Sequence, residues 1–381
     1  MDKKFVMGIA AMAALTLVSC SSDDLDSFSD NSSKNEAISF DGYLGRSAVA
    51  VNGSRGSVAT VETLKDKGFG VFGKYTPTEG QASNLFDNQK VTYSTTESKW
   101  TYSPLKFWPA NGKIDFLAYA PYDKSITLTD GSKIKNFTVS EKIAEQKDLL
   151  WTNATSSISA DLTSAKEKVK FQFHHALSRL GYNVTLSGDY SSSGATFTVN
   201  KITLAGSPDG TSKKAFYKTG TIDLAKIVTK DNTEQNKEDL SKTNTEKGLW
   251  TAGTSDDNKQ NFDLVSSAQT LNQTGIKSGD NYLFVIPQDF SQTKAEGHDV
   301  DELYVYVEYT INYGGTTGSV TNKVYKQIKK HFLQGNAYML NLTLGLPIEF
   351  DVDVTGVDAG VDGWGTDEGI NIGSNDNPWE R

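Results

Sequence analysis

The sequence is poor in sulfur, histidine and proline: its 381 residues include 1 Cys, 4 Met, 4 His and 8 Pro. A lone cysteine closes no internal disulfide and offers no cysteine pair to zinc, so sheets and an apolar core must hold the fold. There is no Gly-x-Ser-x-Gly elbow, no His-Glu-x-x-His helix and no Gly-rich phosphate loop. The histidines are His174, His175, His298 and His331. Neighbours on a strand face opposite sides, so His174 and His175 cannot chelate one ion, and one of them is expected as a hydrogen-bonded core residue. Acidic clusters at Asp256-Asp257 and at Asp351, Asp353, Asp358 and Asp362 lack the spacing of an EF-hand loop and read as solvated. No enzyme, metal or cofactor is therefore expected. Positive charge is also in deficit. Lys and Arg total 38 against 47 Asp and Glu, a net charge of -9, which argues against nucleic acid and against electrostatic adhesion to anionic lipid. No long stretch has helical apolar periodicity, and no period of 20–50 residues repeats, which removes solenoids and propellers.

What is present points to β-structure. Thr, Ser and Gly are frequent, and aromatics make up 10% of the chain, with 16 Tyr and 18 Phe, so core material is ample. Strands are expected at 37–46 (AISFDGYLGR, with Ile38, Phe40 and Leu44 inward), 68–75, 114–119, 148–152 and 169–174. A hairpin is expected from 89–94 and 99–102, and turns at Asn111-Gly112 and Pro208-Asp209-Gly210. Further on, 197–204, the apolar run 282–286, 303–311, 319–328 and 337–344 read as strands, and the polar stretch 229–263 as long loops with an edge strand. The tail after Pro347 alternates at Ile348, Phe350, Val352 and Val354, then turns rich in Gly and Asp from Gly363. The 6 tryptophans are expected in the core or at domain interfaces, with sugar stacking as the other use of such rings.

The N-terminus carries an address. Lys3 and Lys4 precede an apolar run from Phe5 to Val18, which is shorter than the roughly 20 residues a membrane span needs but suits a secretory signal. It ends in Leu17-Val18-Ser19-Cys20, which resembles the lipobox of bacterial lipoproteins, and Cys20 is the only cysteine. The resemblance implies cleavage before Cys20 and acylation of its sulfur, with a chance cysteine or a buried thiol as the plain alternative. Acyl chains at about 0.8 kcal/mol per buried methylene would hold the protein on the outer membrane. Residues 20–36, with Asp23, Asp24, Asp26, Asp30 and Glu36, are too polar to offset their ordering entropy and read as a disordered linker. The Ser-Ser-Asp-Asp run after Cys20 resembles the surface-export signal of Bacteroidetes lipoproteins.

Six stretches together resemble one family. W-T-Y-S-P-L-K-F-W-P at 100–109, D-F-L-A-Y-A-P at 115–121, F-Q-F-H-H-A-L-S-R-L at 171–180, Y-L-F-V-I-P-Q at 282–288, Y-V-Y-V-E-Y at 304–309 and G-N-A-Y-M-L-N-L-T-L at 335–344 are similar to the fimbrillin family of Bacteroidetes. The family implies two transthyretin-like β-sandwich domains in tandem, here 37–180 and 181–381, in a lipid-anchored subunit of a type V pilus. It also implies assembly by strand exchange. An arginine-specific protease trims the precursor, removing the first strand (37–46), and a neighbouring pilin supplies the missing one. Arg46 matches the family position best and Arg55 is the fallback; two solvated loop arginines are the plain alternative. Cleavage would release the chain from Cys20 and open a groove in one step. Ile348, Phe350, Val352 and Val354 are the candidate donor strand, or else a native last strand. Partners are then other pilin subunits, the outer membrane, the protease, and a host glycan or protein as adhesion target. A surface glycan-binding lipoprotein that never polymerises, and a tip or anchor adhesin, stand as alternatives.

Overall fold

Alternation along 169–175 (VKFQFHH) places Val169, Phe171, Phe173 and His175 on one face, and all four are buried. The same period governs 112–120, where Ile114, Phe116 and Ala118 are fully buried. Such segments dominate the computed structural model, which describes residues 37–44, 59–158, 168–225, 250–253, 255–279, 281–292, 300–314, 318–345 and 349–356. Cys20, the linker 20–36, Arg46, Arg55, Ile348 and the tail beyond Gly356 lie outside the described residues.

The first half runs β1 (Phe40–Leu44), α1 (Val61–Lys67), β2 (Phe69–Thr76), β3 (Ser83–Ser94), β4 (Lys99–Thr101), β5 (Gly112–Ala120), β6 (Leu128–Thr129), β7 (Lys133–Thr138), β8 (Leu150–Ile158) and β9 (Val169–His175). The chain is all-β, with α1 its one α-helix among the described residues. The expected hairpin closes between β3 and β4, with Ser94 opposite Lys99. At the expected Asn111-Gly112 turn, Gly112 takes φ 90°, and a Cβ there would stand 2.8 Å from Pro77 Cα. Helix α1 has no counterpart in the sequence reading. It is one short turn pair whose start is fixed by reciprocal caps: Thr63 N–H donates to Thr60 Oγ1 (3.2 Å), and Thr60 N–H donates to Thr63 Oγ1 (2.6 Å).

Seven of these strands form one sheet in the order β1-β9-β8-β5-β2-β3-β4. Every neighbouring pair is antiparallel except β1 and β9, which run parallel. The two ends of the sheet meet, because β1 approaches β4 and Ala37 bridges Phe107. The sheet thus rolls around an aromatic core of Phe40, Phe69, Phe86, Phe116, Phe171 and Phe173. Ring centroids lie 5.2 Å apart for Phe69 and Phe173 and 6.3 Å apart, edge-on, for Phe116 and Phe171. Each such pair contributes about 0.5–1.5 kcal/mol beyond its burial.

A second apolar cluster is built mainly from later strands. One sheet pairs Ile276–Lys277, β10 (Ser178–Leu186), Ala337–Gly345 and Glu349–Gly356; another pairs Phe262–Val265, β11 (Thr196–Ala205), Tyr304–Asn312 and Ser319–Gln327. The apolar run at 282–286 contains a fully buried strand, Leu283–Val285, on the start of β10. Strand β7 leaves the first sheet's neighbourhood. It pairs with Thr219–Asp223, and Ile134 and Val139 join the second cluster.

Phe116 touches Phe40, Phe86, Trp108 and Phe171. Phe116→Ala is expected to lower stability by about 3–5 kcal/mol in urea unfolding. Val320→Ser, at a half-exposed position, should stay within about 0.5 kcal/mol. Equal losses for the two variants would contradict this core.

Candidate strand-exchange site

Strand β1 is short, amphipathic and inserted. Ile38, Phe40, Gly42 and Leu44 alternate inward and are buried, while Tyr43 is 40% exposed. The sequence expectation of Ile38, Phe40 and Leu44 facing a core matches these positions. Phe40 is the anchor. Its ring stacks on Phe171 at 5.6 Å, meets Phe86 edge-on at 5.3 Å, and lies 5.4 Å from Tyr102. Gly42 is where the groove is shallowest: a Cβ there would come 2.9 Å from Phe69 Cε1.

The backbone of β1 is held from two sides. On one side its register with β9 runs from Phe40 opposite Val169 to Leu44 opposite Phe173, and Val169 N–H donates to Ser39 O at 2.9 Å. Strand β8 pairs with β9 only at Leu150–His175 and Trp151–His174, so β1 is the ladder partner of the remaining stretch of β9. On the other side Ile38 N–H donates to Lys106 O at 2.8 Å, and the Tyr102 hydroxyl donates to Ile38 O at 2.6 Å. Burial pushes the Tyr102 phenol above its ordinary pKa, with its backbone hydrogen bond to Lys106 acting the opposite way.

Leu44 and Ala59, the described residues on either side of 45–58, both lie near the same end of β9. Leu44 lies opposite Phe173, two residues before His175. Ala59 N–H donates to Asp148 Oδ2 at 2.8 Å, and the same buried carboxylate receives His175 Nδ1 at 3.0 Å. His175 is thus the hydrogen-bonded core histidine; His174 lies on the other face, its ring 6.0 Å from Trp151. The chain has four arginines: Arg46 and Arg55 within that stretch, Arg179, and the terminal Arg381. Arg179 is 8% exposed, its guanidinium 4.3 Å from the centre of the Tyr282 ring. Burial lowers its pKa below the ordinary guanidinium value. It is no substrate for a protease on the folded chain.

The last described strand, Glu349–Gly356, lies at the edge of its sheet on Ala337–Gly345, with Leu344 opposite Phe350, Leu342 opposite Val352 and Leu340 opposite Val354. Val352 and Val354 are buried, and Asp351 takes an ion pair from Lys326 Nζ at 2.7 Å. Of the four donor candidates, Phe350, Val352 and Val354 therefore sit on a strand of their own chain. Ile348 lies outside the described residues. Written beside β1, this segment repeats its pattern: Ile38-Ser-Phe40-Asp41-Gly42-Tyr43-Leu44 against Ile348-Glu-Phe350-Asp351-Val352-Asp353-Val354. The sequence reading missed this repeat, although the alternation and the shared Ile-x-Phe-Asp were there to find.

The remaining chemistry is sparse. Among the described residues, no group of three or more His, Cys, Asp or Glu side chains could hold a metal ion, and no helix is long and apolar enough to cross a membrane. Trp100, Trp108, Trp151 and Trp250 are all buried, and Trp250 Nε1–H donates to Ala176 O at 2.6 Å, so none of these four offers an open face to a sugar.

Comparison with known proteins agrees with this reading of the fold. The family model described as Fimbrillin-like matches residues 58–364. Fimbrium subunit Fim1C of Phocaeicola vulgatus is 28% identical over 402 residues, spanning 96% of this chain and 97% of that protein. A crystal structure of a fimbrial protein from Bacteroides vulgatus is 20% identical with a TM-score of 0.53, covering 84% of this chain and 99% of that one.

The raised pKa of Tyr102 carries a sign. The folded chain keeps a proton that the unfolded chain releases above the ordinary value of 10.0. The contribution of Tyr102 to stability is therefore complete below that pH and is lost as pH rises through the folded value. Tyr102→Phe should flatten the alkaline fall in melting temperature relative to the parent chain. At neutral pH it should cost about 0.5–1.5 kcal/mol for the lost hydrogen bond. An unchanged alkaline slope would show that β1 does not cover this ring.

Proposed function

Because the chain belongs to the fimbrillin-like family, we propose that it is a fimbrial subunit assembled by exchanging its first strand for the last strand of a neighbouring copy. The observation that carries this reading is β1 itself. Three large side chains, Ile38, Phe40 and Leu44, fill a groove from a strand whose onward connection, 45–58, contains both candidate arginines. A cut at Arg46, or at Arg55, leaves β1 held by non-covalent contacts alone. Departure of β1 bares an apolar groove and the unpaired edge of β9, a template for another strand.

The repeated Ile-x-Phe-Asp pattern supports Ile348, Phe350, Val352 and Val354 as the replacement, in the same chain direction as β1. Refilling three large positions is worth roughly 1.5–3 kcal/mol per side chain, plus the ladder hydrogen bonds, which makes for a long-lived joint. Val352 stands where the resident strand has Gly42, so the Phe69 ring must turn aside to admit it. Upstream, Cys20 is the lipid attachment point and 20–36 the tether that holds the precursor at the outer membrane. One cut then both frees and activates the subunit. Two apolar clusters, one inside the rolled seven-stranded sheet and one built mainly from later strands, support tandem sandwiches. The protein's work is structural and adhesive, without an active site.

Full-length protein in detergent, treated with an arginine-specific protease, should form a ladder of detergent-resistant oligomers. The double variant Arg46→Ala/Arg55→Ala should keep the parent melting temperature, stay uncut and form no ladder; the two single variants identify the cut. A ladder from the uncut double variant, or trimmed parent protein that stays monomeric, would refute strand exchange.

A further inference from the structure

Leu105 and Phe107 are 56% and 46% exposed, two of the largest uncovered apolar side chains among the described residues. They alternate along an extended stretch that lines the mouth where β1 enters. Ala37 bridges Phe107, Ile38 N–H donates to Lys106 O at 2.8 Å, and Lys106 N–H donates to the Tyr102 hydroxyl at 3.3 Å. The stretch is therefore held in place while its outer side chains stay bare. Such a pair at a functional edge calls for a partner.

The chain itself limits what that partner is. In the matched register Ile348 of a donor takes the place of Ile38, beside Lys106 and Phe107. Gly345, the end of the donor's strand Ala337–Gly345, is then three residues upstream. Three residues span at most about 10 Å, so the body of the donor must come against the acceptor at this mouth. The donor surface around Gly345 is defined. Ser187 N–H donates to Leu344 O at 2.8 Å, the Ser187 and Tyr190 hydroxyls are 2.6 Å apart, and a Cβ on Gly345 would collide with Ser187. Tyr190 lies on Phe197, ring centroids 5.0 Å apart. The same loop meets Gly314, the neighbour of exposed Tyr313, at Gly194 O. A donor seated this way would bring Tyr190 and its neighbours toward Leu105 and Phe107.

We propose that Leu105 and Phe107 form a docking surface for a second copy of this chain, which seats its Ser187–Tyr190 end there as its last strand enters the groove. This rests on the strand-exchange reading and adds a body-to-body contact to it. A short connection makes that contact obligatory rather than optional.

The test uses the full-length double variant Leu105→Ser/Phe107→Ser in detergent, trimmed with an arginine-specific protease. Its untrimmed melting temperature and its cleavage sites should equal the parent's. A synthetic peptide of residues 346–358, which has the strand but no body, should bind trimmed parent and trimmed variant alike. The ladder of the variant should form about tenfold more slowly, as expected on losing interface anchors. A ladder at the parent rate overturns the proposal. Loss of peptide binding does so too, since these side chains would then belong to the groove. A lowered melting temperature of the uncut variant also counts against it, because the chain's own linker would then be covering the pair. If trimmed parent protein neither polymerises nor takes up the peptide, strand exchange itself fails and the surface falls with it.

Discussion

Phe40 sits among Phe86, Tyr102, Phe116 and Phe171, and this ring fills the core where the two ends of the rolled sheet meet. Removing β1 would expose those four aromatic side chains together with the edge of β9. An aromatic pocket of that size does not stay empty in water, since each buried ring represents a large transfer free energy. The constraint is general: a core completed by one strand holds it by side-chain burial and ladder pairing, and an equivalent strand could satisfy both. Such an exchange needs no catalytic chemistry.

Two anchors separate what would leave from what would stay. On the removable side, β1 is fastened by the β9 ladder and by Tyr102. On the retained side, Asp148 holds Ala59 and His175 together, and Thr60 and Thr63 cap α1 directly after it. A break between Leu44 and Ala59 would therefore not propagate into β2. The buried Asp148 carboxylate costs desolvation, offset by two hydrogen bonds that each restrain a different element.

Local patterns made much of this legible. The alternation in 37–46 identified an inward-facing β1, the loop at 95–98 identified the β3–β4 hairpin, and adjacent histidines on a strand implied that one would be buried. Long-range pairing left no local trace. Nothing in 37–46 specifies a parallel partner at 169–173, and nothing in 133–138 announces pairing with 219–223, because register is set by sheet packing between distant segments. Helix α1 was hidden by its brevity, since two threonines at the right spacing outweigh the absence of an apolar period. The exposure of Leu105 and Phe107 left no local trace either, since residue type alone does not say which large apolar side chains stay uncovered.

The parallel pairing of β1 with β9 also sets an order in time. Residue 40 is synthesised long before residue 169, and until β9 exists Phe40 and Leu44 have no ladder to join. The first described strand to emerge is thus an idle apolar segment until Val169–His175 has been made, and its non-local closure belongs to the slow class of folding steps. Asp41 and Gly42, set between its large side chains, lower its tendency to associate with other nascent chains during that wait.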